Sequence, residues 1–373
     1  KSELKNYLSA KVVDVNGNIE TTGIKIGNMD FTKPSNGGTW YVSVTPDQKH
    51  IAIIGINPHT KNVADQIDYY ILDENLKETS KGNFSFAGYT KEMYAGKFFA
   101  SNKGDFYIVN DEYDKTYTYP VLYKFTVGSK PEIIPVMIAD PNLKNLNYAI
   151  NVNPKGELVM AGYIQKKANF TLTDFSNAGF WTFNSSNPIE VKTSTSTTPL
   201  ANILARKIEF NGDTFYLIGE QYKKEEQKTP NQPTIQFANN YKFNYGDISV
   251  TAFDAEGSKK FEIPVSRKST GSTYDQDLMV GTGIIDNKLA LFFNDKYNKY
   301  FEDKYNEYSH IKVPVSVTIT NDGLMEAPKQ FLKELDSKIS SYVLYPQYTS
   351  AGNNRVVVLM GKNDAIKTVT FTK

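Results

Sequence analysis

The chain has 373 residues and no cysteine, which excludes disulfides, thiolate metal sites and a cysteine nucleophile. Arginine is nearly as scarce, with Arg206, Arg267 and Arg355 the only examples. Bidentate recognition of phosphate favours arginine, so the scarcity argues against a phosphate-reading surface. An excess of one charge is also missing. A net charge of +1 gives no reason to expect nucleic acid or an anionic bilayer as partner. No apolar run approaches the roughly 18 residues that span a membrane, so no integral membrane segment is expected. The three histidines, His50, His59 and His310, share no metal-ligand spacing. Asp14–Glu20 begins like a calcium loop but has Ile19 where glycine is required. No G-x-S-x-G elbow, P-loop or Gly-rich dinucleotide fingerprint occurs. No metal and no cofactor are therefore expected.

What is present reads as strand. The 40% hydrophobic and 22% charged content belongs to an ordinary globular chain, and its length exceeds what one undivided core usually supports. Short runs rich in Val, Ile, Tyr, Phe and Thr alternate with Gly, Asn, Asp and Pro turns. Six times a strand, a tight polar turn and a more hydrophobic strand follow in the same order. They are 40–56, 97–110, 148–163, 206–220, 280–294 and 345–361. A third and a fourth strand follow most of them, as in VSVTI-TNDG-LMEAP, whose Asp322-Gly323 is a hairpin signal.

Repeated four-stranded units bury their faces against one another, which is the logic of a β-propeller. The expected fold is therefore all-β: a single propeller domain over 1–373, with six four-stranded blades, or seven. The blades fall at 31–86, 87–140, 141–195, 196–268, 269–335 and 336–373, and the N-terminal strands of 1–30 complete the last and close the ring. Within the first unit, SVTPDQKHIAIIGI (43–56) resembles the S-P-D-G-K hairpin of TolB-like propeller repeats through Pro46, Asp47 and Lys49. Gln48 stands where that hairpin has glycine. The resemblance implies a propeller and carries no function.

The segments after each second strand are the irregular ones, and function is commonly placed on loops held by a rigid scaffold. The candidate ligand-binding residues lie there: Asn57 and His59; Asn110, Asp111 and Tyr113; Tyr163; Glu220 and Tyr222; Asn294, Asp295, Tyr297 and His310. Amides, carboxylates and phenols around one opening suit a glycan or a protein or peptide ligand. In NDKYNKYFEDKYNEYSH (294–310), Tyr297, Tyr300, Phe301, Tyr305 and Tyr308 share one side of a helical wheel. A short amphipathic helix is expected there, capped by Asn294 or Asp295.

The sequence thus leads to a monomeric, non-catalytic binding propeller of a bacterial cell envelope, outside the cytoplasm. The alternative is a carbohydrate-active enzyme, glycosidase or lyase, that uses carboxylates and tyrosines of the same loops. A purely structural surface protein is a third possibility.

Overall fold

The computed structural model describes the chain except residues 1–3, 15–17, 34, 87–90, 94, 115–116, 167–175, 227–240, 268, 272–278, 297–298, 301–311, 331–342, 353–354, 363–364 and 373. Among the described residues there are 26 strands and no α-helix. All six expected strand–turn–strand pairs are present and antiparallel, and each opens a sheet whose strands run in chain order. The first sheet comprises Thr39–Val44, His50–Ile56, Gln66–Asp73 and Glu78–Ser85. The second comprises Lys97–Ala100, Asp105–Asp114, Tyr117–Thr126 and Glu132–Pro135. Leu143–Val152, Leu158–Lys166, Gly179–Asn184 and Asn187–Thr195 make the third.

The fourth sheet contains Ile203–Asn211, Thr214–Glu226, Tyr241–Asp254 and Lys259–Val265, with Ser269–Gly271 added on the third of these. The fifth runs through Gly281–Ile285, Lys288–Lys296, Lys312–Ile319 and Lys329–Gln330. The sixth has three strands, Val343–Gly352, Arg355–Lys362 and Ala365–Thr372. Leu4–Ala10 pairs with Ile24–Phe31 as a separate two-stranded ribbon. The expected completion of the sixth sheet by N-terminal strands is not among the observed pairings.

Contacts divide the chain into two compact units. Unit 1 holds 1–137 with 152–159 and 185–189; unit 2 holds 138–151, 160–184 and 190–373. Each has its own core. In unit 1, Ile54, Ile67, Phe106, Ile108 and Tyr123 of the first two sheets form one buried cluster. Its rings interlock, Phe84 lying 4.3 Å from Phe125 and Phe106 5.0 Å from Phe125 between centroids. In unit 2, Ile218, Val250, Leu291, Val315 and Val317 join the fourth and fifth sheets. The second strands read as near-continuous apolar runs because both faces are covered. Each such aliphatic side chain contributes about 1.5–3 kcal/mol on burial.

Glycines in these strands make room for rings. Trp40 lies opposite Gly55, and Tyr69 opposite Gly82, in the first sheet. A Cβ on either glycine would meet the facing ring well inside contact distance. In unit 2 the hydroxyl end of Tyr163, a residue of the third sheet, occupies the space a Cβ on Gly219 would need. The turn 45–48 explains the hairpin resemblance. Gln48 adopts φ 61°, the left-handed conformation usual for glycine, while Asp47 Oδ1 accepts from Thr45 Oγ1 at 2.6 Å and Lys49 N at 3.1 Å.

Several expected loops are strand extensions. Asn110, Asp111 and Tyr113 belong to Asp105–Asp114, paired with Val121, Pro120 and Thr118. Glu220 and Tyr222 pair with Ile248 and Tyr245. Asn294 and Asp295 do not cap a helix; they continue Lys288–Lys296 and pair with Pro314 and Val313. Polar side chains concealed the continuing ladder, which is made by the backbone and tolerates them. Most of the expected helix, 301–311, lies outside the described residues.

Candidate active site

In unit 1 a cavity of about 180 Å³ is lined by Asn36, Gly38, Tyr41, Asn57, His59 and Glu92, among others. It forms where the chain enters the first sheet at Thr39 beside Ile56, the last residue of the second strand. Gly38 has φ 69°, and a Cβ there would press on the Ile56 carbonyl, so the approach requires glycine. Asn57 N bonds to Gln66 O at 2.9 Å, and Val63 N closes a turn on Thr60 O at 3.0 Å. The segment between carries His59 and Asp65.

His59 Nδ1 lies 2.8 Å from Asp65 Oδ1, and Asp65 Oδ2 accepts the Met93 amide at 2.7 Å. Asp65 is buried, its side chain 2% exposed, whereas that of His59 is 22% exposed. A carboxylate only accepts, so Nδ1 donates to Asp65, and the tautomer this selects carries its lone pair on Nε2. Nε2 has no partner among the described residues. Tyr41 Oη accepts Ala95 N at 3.2 Å, which leaves the phenol proton free to donate. Asn57 Nδ2 is held by Asp68 Oδ2 at 2.9 Å, and Asn36 Nδ2 reaches the His59 carbonyl at 3.3 Å. The cavity thus combines an oriented proton acceptor, a phenolic donor and a carboxylate, Glu92.

A second constellation lies in unit 2 around Glu220, which is fully buried. Arg206 Nε meets Glu220 Oε2 at 2.8 Å, and Arg267 Nη2 lies 2.8 Å from Oε1. Two of the three arginines therefore converge on one carboxylate. The strands are shaped for this. Ladder irregularities at Arg206 and at Gln221 interrupt the pairing of the first two strands and of the second and third, and such bulges re-aim side chains. Tyr245 Oη accepts from Arg206 Nη2 at 3.3 Å, and the Arg206 guanidinium carbon lies 5.6 Å from both the Tyr222 and Tyr245 rings. Further along, buried Asp295 receives Lys299 Nζ at 2.9 Å and Tyr300 Oη at 3.0 Å. Burial and then the adjacent Asp295 charge push the Tyr300 phenol well above its ordinary range.

The candidate residues thus fall into separate groups. Asn57 and His59 share the unit 1 cavity. Asn110 and Asn294 serve backbone: Asn110 Oδ1 accepts Gly96 N at 2.7 Å, and Asn294 exchanges two bonds of 3.0 Å with Leu344. Tyr163 is fully enclosed, and burial raises its phenol. Asp111 is exposed, as is Tyr113 at 74%. Tyr297 and His310 lie outside the described residues. Sequence reasoning missed Asp65, Tyr41, Arg206, Arg267 and Tyr245. The rarity of arginine could have pointed to two of them; Asp65 is one acid among 41 and carries no local signal. Among the described residues no group of acids and histidines is arranged to hold a metal ion.

No protein-family model matches the chain, and no curated protein sequence matches it at a significant level. Solved structures similar to it include the polysaccharide lyase Uly1, at 10% identity and TM-score 0.39, covering 98% of this chain and 87% of that one. Another is a Bombyx mori GH32 β-fructofuranosidase, at 9% identity and TM-score 0.30, with 88% and 78% covered. A third is a Synechocystis apocarotenoid oxygenase, at 11% identity and TM-score 0.34, with 92% and 82% covered. All three are enzymes and two are carbohydrate-active by name. The expectation of a non-catalytic binding module is corrected on that point, since the similar structures are enzymes. At these scores no residue role passes from them to this chain.

Proposed function

We propose that the protein is a carbohydrate-active enzyme that cleaves glycan chains by proton transfer at the unit 1 cavity, acting outside the cytoplasm. One observation carries this reading: His59 is fixed through Nδ1 on buried Asp65, which presents Nε2 as a base beside a phenol with a free proton. In the proposed reaction Nε2 removes the proton on the carbon next to a uronic acid carboxyl group. The C–O bond to the leaving sugar breaks as the carbon–carbon double bond forms, and Tyr41 donates its proton to the departing oxygen. The chemistry favours elimination over hydrolysis. Hydrolysis classically needs two carboxylates about 5–9.5 Å apart, and here Glu92 lines the cavity while Asp65 is committed behind the histidine. We also infer that the six successive sheets are propeller blades, a reading supported by their repeated order and by the antiparallel first pair of each.

The test is a screen of polyuronates for products with an ultraviolet-absorbing unsaturated end. A general base contributes about 10²–10⁴ in rate, so His59→Ala should lose that much activity while remaining folded by circular dichroism. Saturated reducing ends in place of unsaturated ones would reassign the site to hydrolysis. Full activity in His59→Ala would remove it from the reaction.

A further inference from the structure

The Glu220 cluster has one member that its internal bonds do not use up. Arg267 is enclosed, 2% exposed, and its Nε donates to Gly246 O at 3.2 Å. It already supplies Glu220 with a counter-charge. Arg206 is a second cation on the same carboxylate, and its side chain is 22% exposed. Its guanidinium spends Nε on Glu220 and one Nη2 proton on Tyr245. Of the five N–H donors of an arginine, three have no partner among the described residues.

The surroundings add charge and apolar surface. Around the Glu220 carboxylate stand Arg206, Arg267 and Asp247, which accepts Arg267 N at 3.1 Å. Beside Arg206 the half-buried Tyr222 and Phe243 rings are stacked at 6.5 Å. The bulge at Gln221 is pinned at both ends, its Oε1 accepting Asp247 N at 3.0 Å and its Nε2 donating to Ala201 O at 3.1 Å. The fork is therefore held in place before any ligand arrives, which lowers the ordering cost of binding.

We propose that Arg206 is the anion-reading residue of a saccharide site in unit 2, taking the carboxylate of a uronic acid with its outer N–H pair while Tyr222 and Phe243 support the sugar ring. Guanidinium and carboxylate match as a two-pronged pair, and flat phenyl faces suit the C–H side of a pyranose. The site stands whether or not the unit 1 cavity cleaves, because it performs no chemistry.

Only three arginines exist, so labelling arginine with ¹⁵N gives three Nε–H signals, and Arg206→Lys identifies the one of interest. Titrating the wild-type protein with trigalacturonate should move that signal saturably, and uncharged galactotriose should leave it in place. By calorimetry Arg206→Lys should bind trigalacturonate at least tenfold more weakly. A sulfated, uncarboxylated trisaccharide that binds as tightly would overturn the uronate assignment. An unmoved Arg206 signal, an equal response to galactotriose, or saturation by inorganic sulfate at the same concentration would overturn the site itself. The wild-type titration reads Arg206 directly, so the outcome does not depend on how the variant folds.

Discussion

Asp65 in unit 1 and Glu220 in unit 2 are both buried carboxylates that hold two nitrogen partners, yet they do opposite things. Asp65 faces a histidine ring and one backbone amide, and that ring lines a cavity. Glu220 faces two full cations. The first arrangement transmits orientation to a group that can gain and lose a proton. The second ties a buried carboxylate to two guanidinium groups beside two strand bulges. What a buried acid touches, rather than its burial, sets what it can do.

The amide substitution at each site separates the two roles. Glu220→Gln should cost about 3–5 kcal/mol, because it strands the enclosed Arg267 guanidinium as an unpaired buried charge; urea unfolding measures it, and a loss below 1 kcal/mol would show the cluster to be ornamental. Gly219→Ala, next to Glu220, should cost about 1–3 kcal/mol by forcing the Tyr163 ring aside, and Tyr163→Phe should recover part of it in the double variant. Asp65→Asn keeps an acceptor for Met93 N, so unfolding should shift by only about 1 kcal/mol. The same change lets the amide donate to Nδ1, turning the lone pair away from the cavity, and cleavage should fall at least tenfold. Equal losses of stability in the Asp65 and Glu220 variants would erase the contrast.

A third acid sharpens it through pH. Burial raises the Glu262 carboxyl, but Ser196 Oγ at 2.6 Å, Thr197 N at 2.8 Å and the hydroxyls of Thr197 and Thr198 outweigh burial, and its pKa lies below the ordinary value. A depressed acid stabilises the fold above its unfolded pKa, and this stability is lost as pH falls through the lower folded value. Thermal unfolding of wild type against Ser196→Ala with Thr197→Val should therefore differ most near neutrality and converge in acid. This is the smallest of the effects, and a constant difference across pH would assign it to packing.

The strand pairs were legible because their signal is local. Alternation, apolar second strands and turn residues such as those of Thr45–Lys49 lie within a few positions of one another. Even the misfit proved informative: Gln48 takes the φ that the missing glycine would have taken. The extensions of the second strands were illegible because backbone pairing leaves no mark on side chains such as Asn110, Glu220 or Asp295. The cavity was half visible. His59 and Asn57 stand near one another in sequence, but Glu92 and Tyr41 arrive from elsewhere, and the partnership of Asp65 with Met93 N spans 28 residues. The arginines of the Glu220 cluster stand 14 and 47 positions from it by their numbering, 206, 220 and 267, and no periodicity relates them.

The glycines under the aromatic rings bear on how the first sheet finds its alignment. Gly55 beneath Trp40 and Gly82 beneath Tyr69 each offer a notch one residue wide. A strand sliding by one position would carry the notch to the opposite face and bring a β-carbon under the indole or the phenol. Hydrogen bonds along a ladder repeat and cannot detect such a slip, whereas the rings can. Two residues that add nothing to the core by their own side chains thus help to fix the register of the sheet. A chain with alanine at both should fold to the same sheet more slowly and with more misaligned species on the way.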